Sequence, residues 1–83
     1  MPLAKRWRSL DRSTVAAAPD RLGVYELGDD DGTVLTVDCG VLSDELKDAL
    51  SYGPRGATQV RWEATQTREQ AESLAAEHRD RLD

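Results

Sequence analysis

Residues 28–32 read Gly-Asp-Asp-Asp-Gly, a run that neither a strand nor a helix carries through and that must turn the chain back on itself. On either side lie stretches of strand composition: residues 23–27, Gly-Val-Tyr-Glu-Leu, and residues 33–39, Thr-Val-Leu-Thr-Val-Asp-Cys. The three together predict a β-hairpin with a solvated acidic turn. Setting Leu27 opposite Val34 puts Tyr25 opposite Thr36 on one face, with Val24, Glu26, Leu35 and Val37 on the other. Apolar residues occupy both faces. A half-exposed hairpin would alternate apolar with polar positions, so this one is expected to lie between helices.

The remaining elements follow from caps and periodicity. Residues 11–18 predict a short helix with Ser9 or Asp11 as its N-cap, and Pro19 ends it by forcing the residue before it out of helical conformation. Ser43 is placed to cap a helix over residues 44–50, whose first turn is acidic as the helix dipole favours. After a Gly-Pro-Arg-Gly loop at residues 53–56, residues 58–64 alternate and predict a third strand. Val60, Trp62 and Ala64 share one side of it, Gln59, Arg61 and Glu63 the other. Thr67 and Gln70 match a capping box, and Ala71, Leu74, Ala75, His78 and Leu82 form the apolar stripe of the last helix. The expected order is αββαβα, an α+β fold with a small three-stranded antiparallel sheet flanked by helices. Residues 1–10 read as a basic N-terminal segment and residues 11–83 as a single domain.

Composition narrows the function classes. A chain of 83 residues has room for one core. No apolar run exceeds four residues, so neither a membrane span nor a signal-peptide core is expected. Cys39 is the sole cysteine and has no partner for an intramolecular disulfide, which makes the cytoplasm the expected compartment. The net charge of −5 is uneven: residues 1–22 carry five bases and two acids, residues 23–83 six bases and fourteen acids. Only two bases are lysine, ten of the sixteen acids are aspartate, and phenylalanine is absent. An acid-rich, lysine-poor surface stays solvated in molar salt while its self-repulsion is screened, so the composition reads as halophilic. The acidic body also disfavours non-specific nucleic-acid binding, which requires Lys and Arg against phosphates. A protein partner fits this surface better; no membrane is expected.

With Gly23-Val24-Tyr25 opening the hairpin, Thr36-Val37-Asp38 in its second strand and a helix led by Thr67 at the end, residues 15–82 resemble the GIY-YIG nuclease domain. The pattern is most similar to the N-terminal domains of bacterial excision-repair incision subunits. The resemblance implies a site in which a first tyrosine helps to activate the nucleophile, and Tyr25 matches it. The second tyrosine of that family falls on Thr36 and its glycine on Asp38. The arginine that stabilises phosphate charge falls on Glu45, and the metal-holding glutamate on Ala75. Phosphodiester cleavage needs a cation to stabilise developing charge and a positioned group to activate water. Tyr25 alone survives of these positions, while Asp38 and Glu45 put negative charge where a phosphate should dock. The resemblance therefore implies a non-catalytic GIY-YIG-like module, a binding or interaction domain with a lost nuclease site and no cofactor. The alternatives are a magnesium- or manganese-dependent endonuclease using Tyr25 with Glu72 or Glu77, or an accessory protein binding nucleic acid through Lys5, Arg6, Trp7 and Arg8.

Single residues carry weaker signals. Asp38 and Glu45 are the one pair of acids that the reading brings together as metal ligands, and two carboxylates make an incomplete shell. His78 sits on an apolar stripe and reads as a packed histidine. Cys39 reads as a small packing residue, and Trp7 as a ring covering one end of the domain with its arginines solvated. The composition makes one prediction. Diluting salt below about 0.1 M, where the Debye length exceeds roughly 10 Å, should lower the melting temperature progressively. Calorimetry across a salt series checks this, and a melting temperature indifferent to salt would count against halophilic adaptation.

Overall fold

The computed structural model describes residues 6–82, with side chains as far as Asp80; Lys5 and the side chain of Leu82 lie outside the described residues. The first element is β1 (Arg8–Ser9), and α1 (Arg12–Ala17) follows it. Asp11 caps α1, its side chain accepting the Thr14 N–H at 2.9 Å, and the helix stops at Ala18 before Pro19. The hairpin is β2 (Leu22–Gly28) and β3 (Val34–Val41). Then come α2 (Leu42–Tyr52), β4 (Gln59–Ala64) and α3 (Arg68–Leu82). The fold is α+β, and its sheet is antiparallel with strand order β1-β4-β2-β3.

The sheet has four strands rather than the expected three. Arg8 pairs with Val60 and Ser9 with Gln59, and the Leu10 N–H donates to the Thr58 carbonyl at 2.9 Å. A two-residue strand is too short to leave an alternating pattern, so only its backbone pairing reveals it. Arg8 and Ser9, assigned from sequence to a segment ahead of the domain, are thus part of its sheet.

The hairpin register also differs, by two residues. Tyr25 lies opposite Asp38 and Leu27 opposite Thr36. The cause is the turn: one oxygen of Asp29 accepts the N–H groups of both Asp31 and Thr33, each at 2.9 Å, and stabilises a loop over residues 29–33. An even shift preserves the faces, so Tyr25 still shares its face with Thr36. The exception is a bulge between Leu27 and Gly28, which pairs Gly28 with Val34. Val34 consequently packs on the Val24 side, and Leu35 is left exposed.

Helix α2 starts at Leu42, earlier than expected, and Ser43 is not its cap. The N–H groups of Leu42 and Ser43 donate instead to the carbonyls of Arg21 and Pro19, at 2.8 and 3.1 Å. The Ser43 hydroxyl donates to Asp20 at 3.1 Å. Orphan donors at the helix start are thereby satisfied by the α1–β2 connection, which ties α2 to the sheet. At α3 the expected capping box is present: the Gln70 N–H donates to Thr67 Oγ1 at 3.1 Å, and Gln70 Oε1 accepts the Thr67 N–H at 3.3 Å.

Helices cover both faces. Val15 and Ala18, with Leu42, Leu46 and Ala49 of α2, pack on Tyr25, Leu27 and Val60. Ala75 of α3 packs on Val24 and Val37 on the opposite face. The middle strand β2 is buried from Gly23 to Gly28. Gly23 is required by close approach, since a Cβ there would lie 2.6 Å from both the Glu63 carbonyl oxygen and Leu42 Cδ1.

On the α3 face, β2 buries a carboxylate completely. Arg61 Nε donates to Glu26 Oε1 at 2.7 Å, and His78 Nδ1 lies 3.3 Å from Glu26 Oε2. The Arg61 guanidinium in turn lies 4.0 Å from the centre of the Trp7 ring, and Trp7 rests against Gly28. Arg79 wraps the outer edge of β3, donating through Nε to the Val37 carbonyl at 2.9 Å and through a terminal nitrogen to Asp38 at 3.2 Å. Among the described residues no helix is long and apolar enough to cross a membrane. The packing makes a clear prediction for Glu26→Gln. It removes the carboxylate charge that faces Arg61 and His78 in the interior and should cost about 3 kcal/mol, read by chemical denaturation. A loss below about 0.5 kcal/mol, the level of an ordinary surface substitution, would show the ion pair to be incidental.

Candidate functional site

Tyr25 occupies the middle of β2, with Trp62 of β4 opposite on one side and Asp38 of β3 on the other. Its ring points to the face covered by α2, where Leu42 and Leu46 are fully buried and hold the helix against the sheet. One turn along, Glu45 lies across the end of β3. Gly40 makes this possible: its φ of +151° suits glycine, and a Cβ there would sit 2.8 Å from Glu45 Cγ. The Tyr25 hydroxyl donates to Glu45 Oε1 at 3.2 Å.

Glu45, Asp48, Ala49 and Tyr52 recur at helical spacing, so α2 presents them along one side. With Tyr25 and Thr36 they line a cleft of about 200 Å³. Tyr52 stands at its mouth with 87% of its surface exposed. Burial pushes the Tyr25 phenol well above its ordinary range, and the charges of Glu45 and then Asp38 push it further in the same direction.

The structure gathers most of the residues that the sequence singled out. Tyr25, Thr36 and Glu45 share the cleft, and Asp38 flanks Tyr25 across the hairpin. Asp38 is turned toward the sheet edge, where one of its oxygens accepts from the Cys39 N–H at 2.8 Å and from Arg79. Ala75 is not brought to the group: it is buried on the other face of the sheet against Val24 and Val37. Glu72 and Glu77 are also carried by α3, exposed on that side. Among the described residues no three His, Cys, Asp or Glu side chains cluster to hold a metal ion.

The other candidates resolve into packing. His78 is buried beside Glu26. The Cys39 thiol is half-buried, and burial raises its pKa, helped by Asp38 and Glu72. That opposes thiolate formation and reactivity. Trp7 is half-buried between Gly28 and Arg61, and Arg8 lies over Trp62 at 4.9 Å. Arg6, Arg8 and Arg61 line a depression of about 360 Å³ beside Trp62. Two of its three guanidinium groups are thus engaged in contacts that fasten the N-terminal strand. A wider depression of about 670 Å³, where β4 meets α3, includes Gln70, whose amide oxygen accepts the Gln66 and Thr67 N–H groups at the start of α3.

Two features escaped the sequence reading. Glu26 sits inside an apolar strand, where a lone charge signals a buried partner, and the alternation of Arg61 in the third strand was the available clue. The side formed by Glu45, Asp48, Ala49 and Tyr52 is legible from spacing alone, yet of these four the sequence motifs single out only Glu45.

Residues 1–81 match a domain family of unknown function, DUF7508, and the chain belongs to that family. No curated protein and no solved structure shows significant similarity to it.

Tyr25 supplies a prediction about pH. The folded chain holds the phenol proton more tightly than the unfolded chain, so the stabilisation is complete below the ordinary phenol pKa of about 10 and is lost as pH rises above it. Glu45→Gln removes one opposing charge and should bring the Tyr25 titration down toward that ordinary value. Ring-resonance NMR from neutral to strongly alkaline pH reads both effects, and an unchanged titration in the variant would dissociate Glu45 from the phenol.

Proposed function

We propose that this DUF7508 chain is a non-catalytic module on a GIY-YIG-like scaffold, whose cleft binds a partner rather than cleaving a phosphodiester. The observation that carries this reading is the Glu45 carboxylate on the Tyr25 hydroxyl, at the position where the resemblance calls for a phosphate-stabilising arginine. A tyrosine that helps to activate water must share or release its proton. Here burial and two neighbouring carboxylates hold that proton in place. The same carboxylates repel a phosphate, and repulsion is strongest where the dielectric is low. The module acts, on this reading, in a salt-rich cytoplasm and without a cofactor.

The endonuclease alternative draws no support from the geometry. Glu72 and Glu77 ride on α3, across the sheet from Tyr25, so neither completes a metal site beside the phenol. The nucleic-acid alternative is weakened because two of the residues it would use, Trp7 and Arg8, are engaged with Arg61 and Trp62. Incubation of supercoiled plasmid with the chain and magnesium or manganese, from dilute buffer to molar salt, should yield no cleavage. Nicking that disappears in Tyr25→Phe would overturn the reading.

A further inference from the structure

Three carboxylates stand close to the centre of the sheet, and their compensation differs. Glu26 is paired with Arg61 and His78. Asp38 is paired with Arg79. Glu45, half-buried, accepts from the neutral Tyr25 hydroxyl, and among the described residues no basic side chain pairs with it. Asp48 lies one turn further along the same cleft, and none of the described residues lining that cleft is basic. With the half-buried Glu45 and the exposed Asp48 on its wall and no basic residue in its described lining, the cleft is electronegative and favours a cation.

The walls say which kind. A hard metal ion takes six or more oxygen ligands, and Glu45, Asp48 and the Tyr25 hydroxyl fall well short. The cleft, at about 200 Å³, is far larger than a bare ion, and part of its lining is apolar or aromatic: Leu27, Ala49, Pro54 and the rings of Tyr25 and Tyr52. Aromatic faces attract organic cations, and a guanidinium is planar, weakly hydrated and able to meet a carboxylate with two parallel N–H groups. Apolar walls accommodate the methylene stem of such a side chain.

We propose that the Tyr25–Glu45 cleft receives an arginine side chain of a partner protein, its guanidinium paired with Glu45 and Asp48 and flanked by Tyr52. This deepens the binding reading of the same site and rests on it. The partner surface is accordingly basic, which the acidic body of this chain complements.

The test is an amide-resolved NMR titration of the full chain with Nα-acetyl-arginine amide, in salt sufficient to keep it folded. Saturable shifts are expected at Ala49, Tyr52 and Gly53 and in β2 around Tyr25. Nα-acetyl-citrulline amide, the uncharged isostere, should leave these resonances unmoved. Glu45→Gln with Asp48→Asn should weaken arginine binding by about tenfold or more, with resonances on the α3 face reporting that the fold is intact. Absence of saturable shifts, an equal response to citrulline, or full binding by the double variant would overturn the proposal. So would a stronger response of the same resonances to magnesium chloride, which would make the cleft a metal site. The titration reads binding alone. A chain that neither cleaves plasmid nor binds arginine retains the non-catalytic reading and loses this one, whereas a chain that cleaves loses the former whatever the titration gives.

Discussion

A carboxylate at the centre of the most deeply buried strand is the constraint around which this domain is arranged. Glu26 has no solvent exposure, and removing an ionised carboxylate from water costs several kcal/mol unless opposite charge and hydrogen bonds replace the hydration. Arg61 arrives from β4 and His78 from α3, so one carboxylate draws together β2, its neighbouring strand and the helix across the face. Arg61 extends the arrangement to the N-terminal strand through Trp7. A slip of one residue between β2 and β4 would turn Arg61 to the opposite face and take its guanidinium away from the buried Glu26 carboxylate. The ion pair thus specifies register more than it adds stability.

The cleft follows from that register. With Glu26 facing α3, Tyr25 must face α2, and Asp38 and Trp62 must lie at its flanks. The height of α2 along the sheet is set separately, by the hydrogen bonds from Leu42 and Ser43 to the Arg21 and Pro19 carbonyls. Gly40 then leaves the space into which Glu45 fits. Register, helix seating and one glycine jointly bring the Glu45 carboxylate within hydrogen-bonding distance of the phenol. None of these three depends on what occupies the cleft, so the site is preformed, which reduces the ordering cost of binding.

Local chemistry in the sequence carried much of this. The Thr67–Gln70 box, the Asp11 cap, the stop at Pro19 and the alternation of Val60, Trp62 and Ala64 are short-range signals, and the structure keeps each of them. Long-range or side-chain-specific features were not legible in the same way. The β1 pairing leaves no periodicity in two residues. The hairpin register depended on how Asp29 closes its loop, and Ser43 had an alternative partner in Asp20 that capping rules do not anticipate. At the site, Tyr25, Thr36 and Glu45 could be grouped because strand parity and helix spacing are periodic. Ala75 could not be separated from them without knowing which face α3 covers.

The charge excess also has a different meaning once placed in space. Screening by salt acts strongly on exposed charges and weakly on buried pairs. The acids of the hairpin turn and the outer side of α3 belong to the first group, whereas Glu26 with Arg61 and His78 belongs to the second. The centre of the sheet therefore holds its electrostatic arrangement across salt concentrations that reshape the surface field. Glu45 lies between these regimes, half-buried and near Asp38 and Asp48, in a cleft that concentrated salt screens only in part. A ligand held there by charge alone would be weakened at high salt. One that also fills the cleft and lies against Tyr52 would retain much of its affinity, because burial of apolar surface is not diminished by screening. In a salt-rich setting, a mixed acidic and aromatic lining would thus hold a cationic ligand more durably than an acidic one.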